Sequence, residues 1–187
     1  MNECREIINN LIPLNLLMKN FGEEIIEEIA LNLYKEENYH LYEKAIFYKL
    51  PIVIRDVILI INFDTELNMQ GILGFLENST GLFLDDTIET LERIQAEEDY
   101  KILKAIRSIL QKNNVSTSDL RVNVDSQEEY SVNNFIETHG SEYDEMADEI
   151  CKIADRLYLY SEDRNIFDNL VRYVDTNKSY LIEELTK

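Results

Sequence analysis

Carboxylate side chains recur at helical spacing in two segments of the sequence. The first segment contains Asp85, Glu89 and Glu92 at positions i, i+4 and i+7, with Asp86 beside them. Residues at this spacing lie on one face of an α-helix, so these acids predict a negatively charged stripe that can bind a cationic surface. A second stripe is predicted from Glu142, Glu145 and Glu149, at positions i, i+3 and i+7, with Asp144 and Asp148 beside them.

The spacing of carboxylates along each stripe approaches the spacing of phosphates along nucleic acid. Seven residues of α-helix rise about 10 Å, so three carboxylates give about one charge per 5 Å. Each DNA strand carries one phosphate per about 3.4 Å. A basic groove that binds a DNA backbone could therefore also bind a stripe. The alternative is that the acids only keep the protein soluble, but interspersed Lys residues would then be expected to relieve the repulsion between them.

The net charge is strongly negative and unevenly distributed. The 187 residues include 37 Asp and Glu against 18 Lys and Arg, which gives a formal net charge of −19. No Lys or Arg lies between Arg55 and Arg93, or between Arg121 and Lys152. Such a field repels nucleic acids and anionic lipids and attracts basic proteins. We therefore expect a basic protein partner and no direct contact with nucleic acid or membrane.

Other reactive side chains give little support for catalysis or for a cofactor. Cys4, Cys151, His40 and His139 are the only cysteines and histidines, and none has metal-ligand spacing. We expect Cys151 to be a buried small hydrophobic side chain, His40 to lie partly buried in an aromatic cluster, and His139 to lie in a turn before a helix. The sequence predicts no catalytic residues, no cofactor and no metal site. An enzyme with a carboxylate-bound divalent metal is the least favoured alternative.

Amphipathic helices are predicted for most of the chain. Five Gly and two Pro residues are too few for the many tight turns of a β-sandwich or barrel. Apolar residues at a spacing near 3.6 predict helices over residues 23–34, 84–95, 98–112 and 141–160. Ser141 is the candidate N-cap of the last helix. We predict an all-α fold in a single compact multi-helix domain.

The most apolar segment, residues 50–63, fits either a buried strand or a buried helix. Its β-branched residues suit a strand, but Pro51 suits the first turn of a helix, so we predict a helix. Arg55 and Asp56 interrupt the segment, which is shorter than the 18 or so apolar residues of a membrane span. The acidic N-terminus lacks the features of a signal peptide. We therefore expect a cytoplasmic protein.

A polar segment over residues 113–133 is the best candidate for a linker. Alternating Leu120, Val122 and Val124 fit a short extended hairpin near residues 115–132. We predict one acidic helical domain over residues 1–187, with a subdivision into 1–112 and 134–187 as the alternative.

The segment around Asn78-Ser79-Thr80-Gly81 resembles a bacterial domain family of mostly unknown function. That family has a segment of the form N-G-G-F … N-S-S-G … I-G-A, and residues 71–81 here precede a helix that ends in Ile94-Gln95-Ala96. Two family glycines are replaced here, by Gln70 and Gln95. The C-terminal part also resembles the family, at residues 143–145, 157–158 and 170–173.

The best-known member of that family is an acidic DNA-mimic protein. The resemblance, over about residues 50–185, implies an all-helical fold and a dimer that occupies the DNA-binding surface of a transcription factor. It implies no catalytic residues. We hypothesise a non-enzymatic interaction protein whose acidic stripes bind a basic surface that would otherwise hold nucleic acid. The alternative is an immunity protein that neutralises a basic toxin, for which a neighbouring toxin gene is expected.

Overall fold

The computed structural model describes residues 2–128, 133–157, 160–161 and 164–186, which are almost entirely helical. The predicted all-α fold is confirmed. In chain order the helices are α1 Asn2–Leu11, α2 Leu14–Lys19, α3 Gly22–Leu33, α4 Lys44–Phe47, α5 Ile52–Glu77, α6 Leu84–Arg93, α7 Glu97–Lys112, α8 Thr117–Asp125, α9 Phe135–His139, α10 Asp144–Ala154 and α11 Ile166–Thr186. The remaining elements are the 3₁₀-helices Glu36–Tyr42, Ser79–Phe83 and Ser141–Tyr143, and a short ladder of β1 Tyr160–Ser161 with β2 Arg164–Asn165.

Most predicted helices correspond closely to observed ones. The helices predicted over 23–34, 84–95 and 98–112 are α3, α6 and α7. The apolar segment 50–63 is helical from Ile52 onward, in α5, as predicted in preference to a strand. Helix α5 continues to Glu77 and is interrupted by a non-helical residue, Gly71, with φ +70° and ψ −170°.

The extended hairpin predicted near residues 115–132 is wrong where the structure describes this segment. Helix α8 lies there instead, because Ser116 and Asp119 form a capping box. The backbone N–H of Asp119 donates to Ser116 Oγ at 3.1 Å, and the N–H of Ser116 donates to Asp119 Oδ2 at 3.0 Å. Residues 129–132 of the predicted hairpin lie outside the described residues.

The helix predicted over residues 141–160 is too long. Its α-helical part, α10, ends at Ala154, and β1 begins at Tyr160. The turn after α10 is held from outside the helix, since Arg164 Nη2 donates to the carbonyl oxygen of Arg156 at 3.3 Å. Ser141 is not an N-cap but the first residue of a 3₁₀-helix that follows Gly140. Residues 158 and 159 lie outside the described residues.

Contacts group the chain into two units. Unit 1 consists of Met1–Ile61 and Asn165–Lys187, and unit 2 consists of Asn62–Arg164. The linker that we considered, residues 113–133, therefore lies within unit 2. That residues 1–187 form one domain stays a prediction. No helix among the described residues is both long enough and apolar enough to span a membrane.

Unit 1 is built around α3, which packs against α1 and α11. The N-terminus of α3 is joined to α11 by a hydrogen bond from the Gly22 N–H to Asp175 Oδ1 at 2.7 Å. A buried polar contact adds to this core, in which the Tyr173 hydroxyl donates to Asp56 Oδ2 at 2.6 Å. The apolar core of the unit includes Leu11, Leu17, Ile25, Ile29, Leu33, Ile54, Leu170 and Val174.

Unit 2 is built around α7, which packs against both α6 and α10. Helix α8 packs against α9 and against the 3₁₀-helix Ser79–Phe83. The apolar core includes Ile88, Leu91, Leu103, Ile106, Leu110, Leu120, Met146 and Ile150. Because α6 and α10 turn their apolar faces toward this core, their acidic faces are left toward solvent.

Candidate partner-binding surface

The acids of α6 lie on the face of the helix that is opposite its buried residues. Asp85, Glu89 and Glu92 are exposed, and Asp86 is half-buried. Leu84, Ile88 and Leu91 are buried, with exposed fractions of 6% or less. These four acids are named here the α6 acidic face.

Two arginines neutralise part of the α6 acidic face. Arg107, on α7, lies with Nη1 2.8 Å from Asp85 Oδ1. Arg93, one turn after Glu89 on α6, lies with Nη1 3.4 Å from Glu89 Oε2. The Arg107 pair was missed from the sequence, because its partners are 22 residues apart and meet only through the packing of α6 on α7. Any cationic partner would have to compete with these arginines.

The second group of predicted acids lies on α10 and on the 3₁₀-helix before it. Glu142, Asp144, Glu145, Asp148 and Glu149 are all exposed, and they are named here the α10 acidic face. Met146, Ala147 and Ile150, on the other side of α10, are buried. Asp144 and Glu145 lie in the first turn of α10, where negative charge is stabilised by the helix dipole.

The α10 acidic face is much less neutralised than the α6 acidic face. Lys112 Nζ lies 3.9 Å from Glu149 Oε2, which is at the limit for an ion pair. Among the described residues, the other four acids of this face have no ion-pair partner. This face therefore presents the largest group of unpaired carboxylates among the predicted site residues.

A third acidic cluster, Glu97-Glu98-Asp99 at the start of α7, combines two exposed but paired acids with one buried acid. Lys101 Nζ lies 2.8 Å from Glu97 Oε1 and 3.3 Å from Glu98 Oε1, and its hydrogen bond lowers the pKa of Glu97. Asp99 is buried, and burial raises its pKa to about 6 against the opposing effect of the Arg164 charge. No group of three or more candidate ligands that could hold a metal occurs among the described residues.

The cysteine on α10 is unsuited to nucleophilic catalysis. Cys151 is half-buried rather than fully buried as predicted. Burial raises the pKa of its thiol, with further raising effects from Asp148 and Asp155. The reactive form of cysteine is the thiolate, which these surroundings disfavour. His40 is half-buried in the 3₁₀-helix Glu36–Tyr42.

His139 is a buried structural residue at the end of α9, which corrects its placement in a turn before a helix. Its Nε2 lies 2.8 Å from Glu77 Oε2, and its Nδ1 lies 3.2 Å from Asn123 Nδ2. This network was not predictable from the sequence, because Glu77 and Asn123 lie on helices other than that of His139. The chain turns immediately after His139, at Gly140.

The motif Asn78-Ser79-Thr80-Gly81 forms a close turn between α5 and α6. A Cβ atom on Gly81 would lie 2.4 Å from the carbonyl oxygen of Leu76 and 2.6 Å from that of Phe75. Such contacts are too short for any other residue, so glycine is required by packing. Asn78 Nδ2 donates to Glu66 Oε2 at 2.7 Å. These contacts indicate a structural turn.

Gln95, which stands in place of the glycine in the I-G-A pattern, has a left-handed backbone with φ +62°. It follows α6, and the Ala96 N–H donates to the carbonyl oxygen of Leu91 at 2.9 Å. This is the hydrogen bond of a Schellman motif, in which glycine is the preferred residue at the left-handed position. The backbone at Gln95 therefore retains the conformation that the family's glycine would favour.

Comparison with known proteins agrees with this combination of helical fold and acidic faces. A family model described as DMP19-like protein matches residues 48–177, which include both acidic faces. Neither the curated proteins nor the solved structures give a significant match. The matched family is an all-helical family of DNA mimics that are generally non-enzymatic. Because the match covers well over half of the sequence, the chain belongs to the DMP19-like protein family.

Proposed function

We propose that this protein is a cytoplasmic, non-enzymatic DNA mimic that binds the basic surface of a DNA-binding protein, such as a transcription factor. Two independent observations support the proposal. The chain belongs to a family of DNA mimics, and four of the five exposed carboxylates of its α10 acidic face have no ion-pair partner among the described residues. The second observation carries the proposal, because it provides a surface for the partner.

The α10 acidic face is the main candidate for the contact. Its carboxylates follow one another along a short stretch of helix, so a basic groove would meet closely spaced negative charges, as it does along a DNA strand. The rigid packing of Met146 and Ile150 in the core of unit 2 holds the helix that carries them. Because the backbone of the packed helix is already ordered, binding restricts only the rotamers of the acidic side chains, which favours affinity.

The α6 acidic face is proposed as a secondary contact. Glu92 is exposed and has no ion-pair partner among the described residues. Asp85 and Glu89 could exchange Arg107 and Arg93 for basic residues of the partner. Surface ion pairs of this kind are worth only about 0–1 kcal/mol each, so the exchange would cost little.

The decisive experiment is competition with DNA. The immobilised protein is used to capture a partner from the source lysate, and the purified partner is then titrated with this protein in the presence of duplex DNA. Duplex DNA should compete for the partner. Raising the salt concentration above physiological strength should weaken the complex, because the Debye length falls below about 8 Å. A partner that binds DNA and this protein at the same time would contradict the proposal.

Charge reversal locates the contact on the surface of this protein. Reversal of Glu142, Glu145 and Asp148 to Lys should abolish binding to the captured partner. The matched control reverses Glu23, Glu27 and Glu37, which are exposed acids of unit 1, so that the net charge changes equally. If both triple variants weaken binding by the same factor, total charge matters and the α10 acidic face does not.

The same experiment separates the proposal from the immunity-protein alternative. An immunity protein would block the catalytic cleft of a toxin without covering its whole DNA surface, so DNA competition would be incomplete. We further propose, from the family resemblance, that the protein is a homodimer. Sedimentation equilibrium should give twice the mass of the 22.0 kDa chain.

A further inference from the structure

The side chain of His139 is completely buried at the point where the chain enters the α10 acidic face. It is the last residue of α9, and its exposed side-chain fraction is 0%. Gly140 and the 3₁₀-helix Ser141–Tyr143 follow at once, and α10 begins at Asp144. Contacts that hold His139 in place therefore also restrict the position of the residues that begin the α10 acidic face.

The hydrogen bonds of His139 determine which ring nitrogen carries the proton. The side-chain nitrogen of Asn123 can only donate, so His139 Nδ1 accepts its hydrogen bond at 3.2 Å. The proton of a neutral imidazole is then on Nε2, which donates to Glu77 Oε2 at 2.8 Å. The ring thus joins the end of α5, α8 and α9 through two hydrogen bonds.

Two aromatic rings also contact the imidazole of His139. The ring centroid of Phe135, on α9, lies 4.3 Å from that of His139. The ring of Tyr143, in the 3₁₀-helix that precedes α10, lies edge-on at 6.1 Å. Tyr143 is the residue immediately before α10, so the imidazole contacts both sides of the turn.

The turn itself depends on glycine and carries the first acid of the face. Gly140 has φ +105° and ψ 156°, a backbone conformation that is essentially restricted to glycine. The carboxylate of Glu142 folds over this residue, since a Cβ atom on Gly140 would lie 2.4 Å from Glu142 Oε2. The placement of Glu142 is therefore set by the backbone next to His139.

We propose that Glu77, His139 and Asn123 are positioning residues that fix the Gly140 turn and thereby the N-terminal end of the α10 acidic face, while packing on α7 holds the rest of the helix. The consequence for partner binding rests on the proposed function. The effect on the position of the Gly140 turn and the start of α10 does not rest on the proposed function, because it follows from the hydrogen bonds of His139 and the geometry of the turn.

The test compares two carboxylates of α5 that each accept one side-chain hydrogen bond. Glu77→Ala removes the acceptor for His139, and the control Glu66→Ala removes the acceptor for Asn78 at a similar distance of 2.7 Å. Both substitutions remove one negative charge from unit 2. Glu77→Gln and His139→Gln retain a hydrogen bond between the two positions and serve as conservative variants.

Amide hydrogen exchange of the full-length chain provides a readout that needs no partner. In Glu77→Ala, peptides from residues 135–149 should exchange at least about tenfold faster, while peptides from α6 keep their exchange rates. Glu66→Ala should leave residues 135–149 unchanged, and Glu77→Gln should restore their protection. Equal exchange in the Glu77→Ala and native proteins, or an equal effect of Glu66→Ala, would overturn the proposal.

The second readout is affinity for the DNA-binding protein captured in the competition experiment. Glu77→Ala should weaken binding by about tenfold, and Glu66→Ala by less than about threefold. Faster exchange with unchanged affinity would overturn the link between this network and binding. If no DNA-binding partner is captured, the proposed function fails, but the exchange data still decide whether the network positions the turn.

Discussion

Arg164 Nη2 lies 3.3 Å from Oδ1 of Asp99, a carboxylate whose residue is only 1% exposed. The contact joins β2 to the first turn of α7. It lacks hydrogen-bond geometry, and neither carboxylate oxygen of Asp99 accepts a hydrogen bond from the described residues. Burial therefore outweighs the attraction of Arg164, and the pKa of Asp99 is raised to about 6.

Replacement of Asp99 by Asn should stabilise the protein above pH 6. Because the pKa of Asp99 is higher in the folded chain than in the unfolded chain, folding favours the protonated form. The stability that protonated Asp99 contributes to the folded state is fully present below the unfolded pKa of about 4. It is lost as the pH rises through about 6. Urea denaturation should show that Asp99→Asn gains up to about 3 kcal/mol over the native protein at about pH 8, with little difference at about pH 4.

The neighbouring exposed acid provides the control for Asp99. Glu98→Gln removes the same charge one residue away, where the side chain is 48% exposed. This variant should show a much smaller pH-dependent difference, because the charge of Glu98 is the least of the effects that raise the pKa of Asp99. A constant difference between Asp99→Asn and the native protein across the whole pH range would show that Asp99 is ionised normally in the folded state.

Truncation of core residues in unit 2 should be strongly destabilising. Ile106 and Ile150 are both fully buried where α7 packs against α10. Replacement of either by Ala should reduce the free energy of unfolding by about 2–5 kcal/mol, through lost burial and an unfilled cavity. Losses below about 0.5 kcal/mol at both positions, measured by urea denaturation, are typical of surface sites and would contradict this packing.

Glycine at position 95 should stabilise the protein, although glycine usually destabilises helical segments. The left-handed backbone of Gln95 is unfavourable for a residue with a Cβ atom. Gln95→Gly should therefore increase the free energy of unfolding by about 0.5–1 kcal/mol. Gln111→Gly, at an exposed position within α7, should have the opposite sign. A loss of stability in both variants would contradict the proposed strain.

Removal of the arginines that neutralise the α6 acidic face should strengthen partner binding. In a variant with Arg93→Gln and Arg107→Gln, Asp85 and Glu89 lose their ion-pair partners and become available to basic residues. Titration of the captured partner should show an affinity about two- to fivefold higher than that of the native protein. The control replaces Lys19 and Lys35 of unit 1 by Gln, with the same change in net charge. Unchanged affinity in the α6 variant would show that the α6 acidic face does not contact the partner.

The fold was largely predictable because the spacing of apolar residues, on which the prediction rests, is a property of each segment by itself. The apolar spacing of α3, α6 and α7 reports directly which face is buried, and this predicted both helices and core residues such as Ile106. The error near α8 has a local cause too. The capping box at Ser116 favours a helix in a segment whose alternating apolar residues also fit a strand.

The candidate surface was predictable only in part. Exposure of the acids follows from their position opposite the apolar residues, which the sequence shows. Their neutralisation by Arg107, and the burial of Asp99 and His139, depend on helices that meet through tertiary packing. Periodicity within one helix contains no information about such contacts.

The division of unit 1 between the two ends of the chain has a consequence for biosynthesis. Helix α3 needs α11 for its packing and for the acceptor of the Gly22 amide, yet all of residues 62–164 are translated before α11. At ordinary elongation rates, this delay is roughly 5–20 s on the ribosome. During that time α3 has its contacts with α1 but lacks those with α11, so part of its apolar face stays exposed, as in the species that chaperones shield.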